Sequence, residues 1–427
     1  MIAKDIKWSW VILAAVTFIM FLEAAILKGF SVLLPDLKEQ LSSQTWVIGS
    51  LISIITGWGY VVGLSAGPLK KRFGARVCLM VSGLVSSCGL IICACATNVN
   101  LLLLGMIPTG FMLFQENVSV GIIPEYFEKY YDLAVSIYCF NTSSAIIISP
   151  LFTQMFLDIY GWRGTALMLC GLNMHSILCG ALVTHQEHQI PRQLEKHELL
   201  PTRHDDISHK DDQSSKSGFK IFKTVFKTFS FNLLTSIPFI ARVILPAIVY
   251  GWTFASWLIY IVSFALSNGA SMKQSAVVAT CGGIGNAIIK IVLPYLNSIL
   301  TYRQLMYIAS FVMAVSLGLT TVFYGVIGMS LASFFFCSGI GIIGTVLYFA
   351  IKEVVDEDQY TNAVAWYHVF YGFAMIGGAL VTGLIFDTTG SFILSFTLLA
   401  AVSLLIAVSL GLEEIWAAVN KNKNIQI

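Results

Sequence analysis

The chain is 427 residues long, 57% of them hydrophobic and only 11% charged, with a net charge of +2. A soluble domain carries roughly a quarter charged residues, so a water-soluble enzyme is excluded. The mean hydropathy of +0.80 places the chain in a bilayer, and no nucleic-acid partner is expected.

About twenty apolar residues cross the hydrocarbon layer as a helix. On that measure twelve spans are predicted, near 9–34, 46–67, 77–97, 101–123, 133–156, 164–184, 232–262, 274–300, 304–324, 326–350, 362–386 and 392–412. The first is too long for the apolar core of a cleaved signal and reads as a retained helix. Pro238, Pro246 and Gly251 interrupt the seventh, which is tolerated where neighbouring helices shield the freed backbone. The fold class expected is therefore an all-α membrane protein of two six-helix halves, 1–184 and 230–412. They are joined by a polar linker, 185–229, and followed by a tail, 413–427.

The linker holds five histidines at irregular spacing, which argues for a disordered connector and against a metal site. Its last part, 219–231, alternates aromatics with Lys220, Lys223 and Lys227, as an interfacial helix would. With both termini in the cytoplasm, that side holds 19 of the 25 Lys and Arg residues, including Lys70, Lys71, Arg72 and Arg76, so the positive-inside rule sets the orientation. All nine cysteines fall in apolar stretches without zinc-type spacing and read as small buried hydrophobes. No cofactor or metal is expected.

The halves echo each other. Ala134-Val135-Ser136-Ile137-Tyr138 matches Ala363-Val364-Ala365-Trp366-Tyr367 at an offset of 229, and Asp158-Ile159-Tyr160-Gly161 matches Asp387-Thr388-Thr389-Gly390 at the same offset. Arg76 matches Arg303 at 227. Near-equal offsets point to a duplicated six-helix unit, the build of alternating-access carriers, whose binding site lies between the halves.

Five ionisable residues sit inside the spans: Glu23, Lys28, Glu116, Arg242 and Lys290. A charge near the bilayer centre costs at least about 2.5–3.5 kcal/mol, so each needs a partner or a task. Three are cationic, which points to an anionic cargo. Glu23 and Lys28 lie about 140° apart on their helix, so Glu23 is expected to pair across helices, with Arg242 or Lys290. Glu116 stands beside Asn117, and burial makes Glu23 and Glu116 the proton-coupling candidates. Arg242 serves equally as a substrate contact or as a donor to carbonyls freed by Pro246. Lys28 either snorkels to the outer interface or binds cargo. His175 and His368 read as core histidines. The aromatics Trp252, Trp257, Trp366, Tyr367, Phe370 and Tyr371 read as packing, or as walls suited to a bulkier organic acid. The run Gly282-Gly283-Ile284-Gly285 serves close helix packing.

Gly67-Pro68-Leu69-Lys70-Lys71-Arg72-Phe73-Gly74-Ala75-Arg76 resembles the loop signature of the major facilitator superfamily between its second and third helices, with Lys71 where an acid is usual. Gly161-Trp162-Arg163-Gly164 is also common there. Within that superfamily the chain looks like a monocarboxylate transporter, on Asp5-Ile6-Lys7-Trp8-Ser9-Trp10, on Tyr126-Phe127-Glu128-Lys129-Tyr130-Tyr131-Asp132-Leu133-Ala134 and on Asp387-Thr388-Thr389-Gly390-Ser391-Phe392. The resemblance implies a functional lysine at Lys28. It also implies an acid–arginine pair four residues apart in helix eight, where this chain has Asn286 and Lys290, keeping the cation and losing the carboxylate.

The function expected is secondary transport of a small organic anion, a monocarboxylate, across the plasma membrane by alternating access. Lys28 and Lys290 would attract the carboxylate, Asn117 and Asn286 would orient it, and Arg242 is a further contact. Proton symport and facilitated diffusion both remain open, as does a single-span accessory protein. The alternatives are a carrier of a neutral or zwitterionic solute, such as an aromatic amino acid, and a non-transporting receptor on the same fold.

Overall fold

The computed structural model describes residues 6–41, 55–184, 228–320 and 325–425, and every regular element among them is helical. Ten stretches among the described residues are long and apolar enough to cross a membrane. One, Tyr131–Leu182, is 52 residues long, about 78 Å at 1.5 Å per residue, and so crosses twice. Its corner is Gly161, whose φ of 63° and ψ of 178° leave the helical region. Spans five and six are thus the two arms of one bent helix. Of the second predicted span residues 55–67 are described: 55–63 are helical, and a turn at 64–65 leads into the next helix. The remainder of it, like the linker at 185–227, lies outside the described residues.

The other spans follow from local signals. Span one is Ile6–Gln40, span three Ala75–Ala94 and span four Val99–Tyr126. Asn98 starts span four by accepting a hydrogen bond from the Leu101 N–H at 2.8 Å. The loop motif forms a short helix, Ala66–Phe73, stopped by Gly74 at φ 81°. Spans eight to eleven are Met272–Ile299, Tyr302–Thr320, Val326–Val354 and Glu357–Thr389. Span eight opens with a reciprocal cap between Ser271 and Gln274. Span seven, Ile237–Ser267, begins with a π turn at Ile240–Ile244. Pro246 has no N–H to give and its ring crowds the carbonyl of Arg242, so the helix widens by one residue there.

The duplication is visible in backbone geometry. Gly161 and Gly390, which match at the 229 offset, both take a left-handed φ, 63° and 68°. Tyr131 and Tyr360 match at the same offset, and their hydroxyls meet at 2.7 Å. Equivalent residues touch only where a pseudo-two-fold axis passes, so the axis runs between these two tyrosines.

Three stretches depart from the sequence reading. The final helix, Phe392–Ile425, continues through the stretch read as a tail. Of the expected interfacial helix, residues 228–230 are described and lead into a 3-10 turn at Phe231–Thr235. The cysteines are free thiols, yet Cys88 and Cys95 lie on the outer surface and not in the core.

The final helix stays ordered because Glu413, only 3% exposed, is gripped from two sides. Arg242 of span seven reaches it at 2.6 Å, and Arg303, in the first turn of span nine, lies 3.6 Å from its second oxygen. Arg303 also lies 3.7 Å from Glu414. Three elements of the second half are therefore clamped at one end by a buried ion-pair cluster. Glu413→Gln, which strands the Arg242 guanidinium, is expected to cost about 3–5 kcal/mol of stability. The joint change Arg242→Met with Glu413→Leu should cost less, and thermal unfolding of the purified protein in detergent checks both.

Spans three and four cross by backbone contact. A Cβ at Gly89 would lie 2.5 Å from the Thr109 nitrogen, and one at Gly105 would lie 2.7 Å from the Cys93 nitrogen. Such small-residue crossings are how helices associate where lipid removes the hydrophobic drive. Gly105→Ala must push backbone aside and is expected to lower stability by about 1–3 kcal/mol. Gly171→Ala, where an added Cβ meets nothing within 4 Å, should leave the melting temperature unchanged.

Candidate functional site

The polar side chains buried at mid-depth gather where the two halves face each other. They form two groups, one cationic and one acidic.

The cationic group centres on Lys290 of span eight, 8% exposed. Its ammonium donates to the Cys139 carbonyl at 3.1 Å and to Ser143 Oγ at 3.2 Å, both on span five of the other half. Ser143 Oγ in turn donates to Asn286 Oδ1 at 2.6 Å, and Asn286 Nδ2 donates to the Cys337 carbonyl at 3.0 Å. Asn286 and Lys290 thus share a helix face and a single serine. An ammonium has three donors and here bonds two neutral oxygens. Among the described residues no carboxylate pairs with it, so the cluster presents a net positive charge in a dry setting.

Lys28 of span one is half-buried, and among the described residues it has no hydrogen-bond or ion-pair partner. Its neighbour Gly29 packs against Leu169 and Thr153, where a Cβ would lie 3.1 and 3.3 Å away. Arg242 stands apart from both lysines, in the ion-pair cluster with Glu413.

The acidic group corrects the sequence reading of Glu23. Its partner is not a cation but the carboxyl of Glu116, with which it is in side-chain contact. Both are 4% exposed. A helical wheel for one span shows only which residues share a face of that helix. It cannot show that the facing span, the fourth, presents an acid at the same depth.

Across the interface Glu116 meets span eleven, with His368 Nε2 3.4 Å from Glu116 Oε1. His368 is a bonded core histidine, and its neighbours set its tautomer. Asn117 Nδ2 donates to the Leu113 carbonyl at 3.0 Å, which turns Asn117 Oδ1 toward His368 Nδ1 at 2.9 Å. The ring proton is therefore on Nδ1, and Nε2 accepts from the Tyr348 hydroxyl at 3.0 Å. Around this core Tyr60 stacks on His368 at 5.1 Å between ring centroids, and Tyr250 stacks on Tyr371 at 4.8 Å. Tyr367 and Tyr371 of the aromatic set line this region, whereas the Trp366 indole donates to the Phe229 carbonyl near the end of the bundle. His175 bonds only carbonyls of its own helix, at Gly171 and Leu172.

Ser143, Tyr60 and Tyr348 carried no recognisable signal in the sequence, since a lone hydroxyl in an apolar span is ordinary. The one cue was their depth in spans that also hold charges.

Toward the end that carries the described ends of the chain, the halves close on each other. Lys70 of the loop motif pairs with Glu125 at 2.5 Å and reaches the Gly121 carbonyl at 2.8 Å and Thr361 Oγ1 at 3.1 Å in the other half. Asn297 donates to Asp132 at 2.5 Å, and the Lys352 ammonium lies 3.8 Å from the centre of the Tyr131 ring. Gly67 abuts Asn362 and Gly121 abuts Thr361, where only a residue without a Cβ fits. A cleft of about 620 Å³ lies at this seal, lined by Lys129, Asp132, Asn297 and Lys352.

The sequence profile of the Major Facilitator Superfamily matches residues 13–351. Human monocarboxylate transporter 6 is 22% identical over 400 residues, covering 91% of this chain and 76% of that protein. Human monocarboxylate transporter 12 is 23% identical over 438 residues, covering 98% and 83%. Human monocarboxylate transporter 11 reaches 32% identity over 187 residues, 42% of this chain and 38% of its own. Among solved structures, the proton:xylose symporter XylE bound to 6-bromo-6-deoxy-D-glucose superposes with a TM-score of 0.74 at 14% identity, covering 94% of this chain and 95% of its own. The fucose:proton symporter FucP of E. coli gives 0.68 at 14%, covering 93% and 97%. At such identities the structures speak for the fold, and with the profile match over most of its length the chain belongs to the major facilitator superfamily of membrane transporters.

Proposed function

We propose that this transporter carries a small organic anion, a monocarboxylate, across the plasma membrane by alternating access, with both termini in the cytoplasm. The observation that carries the reading is Lys290: a buried ammonium bridging the two halves through neutral oxygens, with a donor left over. A charge in such a place is costly unless something compensates it, and a carboxylate arriving from water is the compensation. Asn286 holds the Ser143 hydroxyl that Lys290 uses, and so positions the cation. Lys28 adds a second positive charge on span one. Arg242 is left out of this proposal, because Glu413 already matches its charge. Asn117 acts through His368 rather than on cargo.

The monocarboxylate names of the relatives support the cargo class, and the twelve-span build supports the alternating-access mechanism. The seal at Lys70, Tyr131 and Asn297 would open as the halves rock, and the site would then face the cytoplasm.

A second reading rests on the stacked rings of Tyr60, Tyr250, Tyr371 and His368. A wall of aromatics favours cargo with a flat or bulky apolar body, which includes aromatic amino acids as well as aromatic acids. Uptake of radiolabelled monocarboxylates into proteoliposomes, competed by aromatic amino acids and by aromatic acids, separates the two readings.

Lys290→Gln keeps a donor for the Cys139 carbonyl while removing the charge. It is expected to lower carboxylate uptake about 10- to 100-fold, as loss of a charged hydrogen bond worth about 1.5–3 kcal/mol would do. Lys28→Gln should lower it in the same direction. Full carboxylate uptake by both variants, with the protein folded and inserted, would sink the anion reading.

A further inference from the structure

We propose that Glu23 and Glu116 act as one unit that holds a single exchangeable proton, and that this shared proton is what couples transport to a pH gradient. The coupling step rests on the transport reading above; the sharing of the proton does not.

Two carboxyl groups in contact repel if both are ionised, and neither can donate to the other unless one is protonated. Burial removes the water that would otherwise screen them: both side chains are 4% exposed. Among the described residues no lysine or arginine pairs with either group, so no fixed positive charge takes the proton's place. A second observation stands beside the contact itself. Glu23 Oε2 and Glu116 Oε2 are buried without any hydrogen-bond partner, so each acid keeps one oxygen uncommitted. Buried side-chain oxygens are mostly hydrogen-bonded, so these two are spare acceptors. This pair leaves room for a proton to arrive, move and leave.

The groups that face the pair are almost all neutral. Span two supplies Tyr60 and span five supplies Tyr138, whose hydroxyl reaches the Glu116 carbonyl at 3.4 Å. Cys139 follows it on the same span. Span seven supplies Tyr250, span ten Tyr348, and span eleven Tyr367, His368 and Tyr371. Lys290, the cation of the neighbouring cluster, is bound to the Cys139 carbonyl and not to either acid. The proton on the pair is therefore the one titrating positive charge that these acids have to hand.

Its effect on conformation follows from His368. With the ring proton on Nδ1 and the one Nε2 lone pair taken by the Tyr348 hydroxyl, His368 has no proton to offer Glu116 Oε1, 3.4 Å away in the other half. A protonated pair tolerates that approach. An ionised Glu116 facing this protonless, electron-rich nitrogen does not, so loss of the proton pushes spans four and eleven apart where the halves touch. Proton entry then favours this packing of the halves and proton exit favours its release. The proton passes from water on one side to a carboxyl oxygen of the pair and from there to water on the other side. No bond other than O–H is made or broken.

Infrared spectroscopy on the purified protein, with carbonyl bands of protonated carboxylic acids followed across pH, tests the sharing without any cargo. The native protein should show one such band. Both Glu23→Gln and Glu116→Gln should abolish it, because the remaining carboxyl would accept from the new amide and stay ionised. A band that survives either single change overturns the shared proton, as does its absence from the native protein. Sodium ions in place of potassium should leave the band unchanged; its loss in sodium would make the pair a cation site and overturn the proposal.

The coupling is read in proteoliposomes, as monocarboxylate uptake with and without an inward pH gradient. Uptake by the native protein should rise with the gradient, and uptake by either glutamine variant should become indifferent to it. A gradient that still stimulates both variants overturns the coupling. If the native protein moves no organic acid at all, the anion reading falls while the infrared result still decides the shared proton.

Discussion

In the hydrocarbon interior a polar group has no solvent to bond with, so each one must find its partner inside the protein. That constraint makes every described element a helix and turns the charged side chains away from lipid. The outward faces carry residues such as Leu151 and Ile327, 72% and 79% exposed. Glu23, Glu116, Lys290, Asn117 and His368 are all buried instead, and they converge on the surface between the halves. Arg242 obeys the same rule within one half, by finding Glu413. What distinguishes these residues is how completely their partners cancel them. Arg242 is matched by a carboxylate, whereas Lys290 is matched only by dipoles and the two glutamates by each other and by neutral neighbours. Groups left with unspent bonding capacity in a dry place are where a solute or a proton has something to gain by binding.

The second organising fact is duplication. Gly161 and Gly390 take the same left-handed turn at equivalent positions, and Tyr131 meets its own equivalent, Tyr360, hydroxyl to hydroxyl. A pseudo-two-fold axis through that contact lets the halves tilt about it like two faces of a hinge. Sealing contacts at Lys70, Asn297 and Lys352 lie toward the same end of the bundle as this tyrosine pair. The two buried sites lie farther along the interface, at mid-depth. The two buried polar groups break the symmetry: the acid pair belongs to the first half, and Lys290 with Asn286 to the second. Selection for shape acts on both copies of a repeat, but a charge is needed only once.

Much of the architecture was legible because its signals are long. Apolar runs of about twenty residues declare spans, and an offset of 229 recurring at several motifs declares a repeat. The five charges within spans were legible for the same reason, since each stands against a long apolar background. Their partners were not. Helical periodicity orders residues around one axis and says nothing about how neighbouring helices are rotated. Glu23 therefore met an acid where a cation was expected, and Lys290 met a backbone carbonyl. Arg242 was misread from the other direction: Glu413 fell in a segment taken for a tail, although a long helix and two arginines bury it. Pro246 did flag the local irregularity in span seven, where the backbone takes a π turn and the Arg242 guanidinium goes to Glu413.

Span five is the element that joins the two sites. Tyr138 offers its hydroxyl to the backbone of Glu116, and the next residue, Cys139, offers its carbonyl to Lys290. Successive residues on a helix point about 100° apart, so one turn of span five can touch span four on one flank and span eight on the other. One turn farther along, Ser143 binds Lys290 again and carries the contact to Asn286. Tilting one half against the other moves span five relative to span eight while span four travels with it. The bonds to Lys290 are then strained or remade at the same moment that Glu116 shifts against His368. A proton on the acid pair and an anion at Lys290, as proposed, would bias the same rigid-body displacement, through contacts a few residues apart on one helix. Coupling between them requires only that both prefer one arrangement of the halves to the other, and it needs no direct contact between the two ligands.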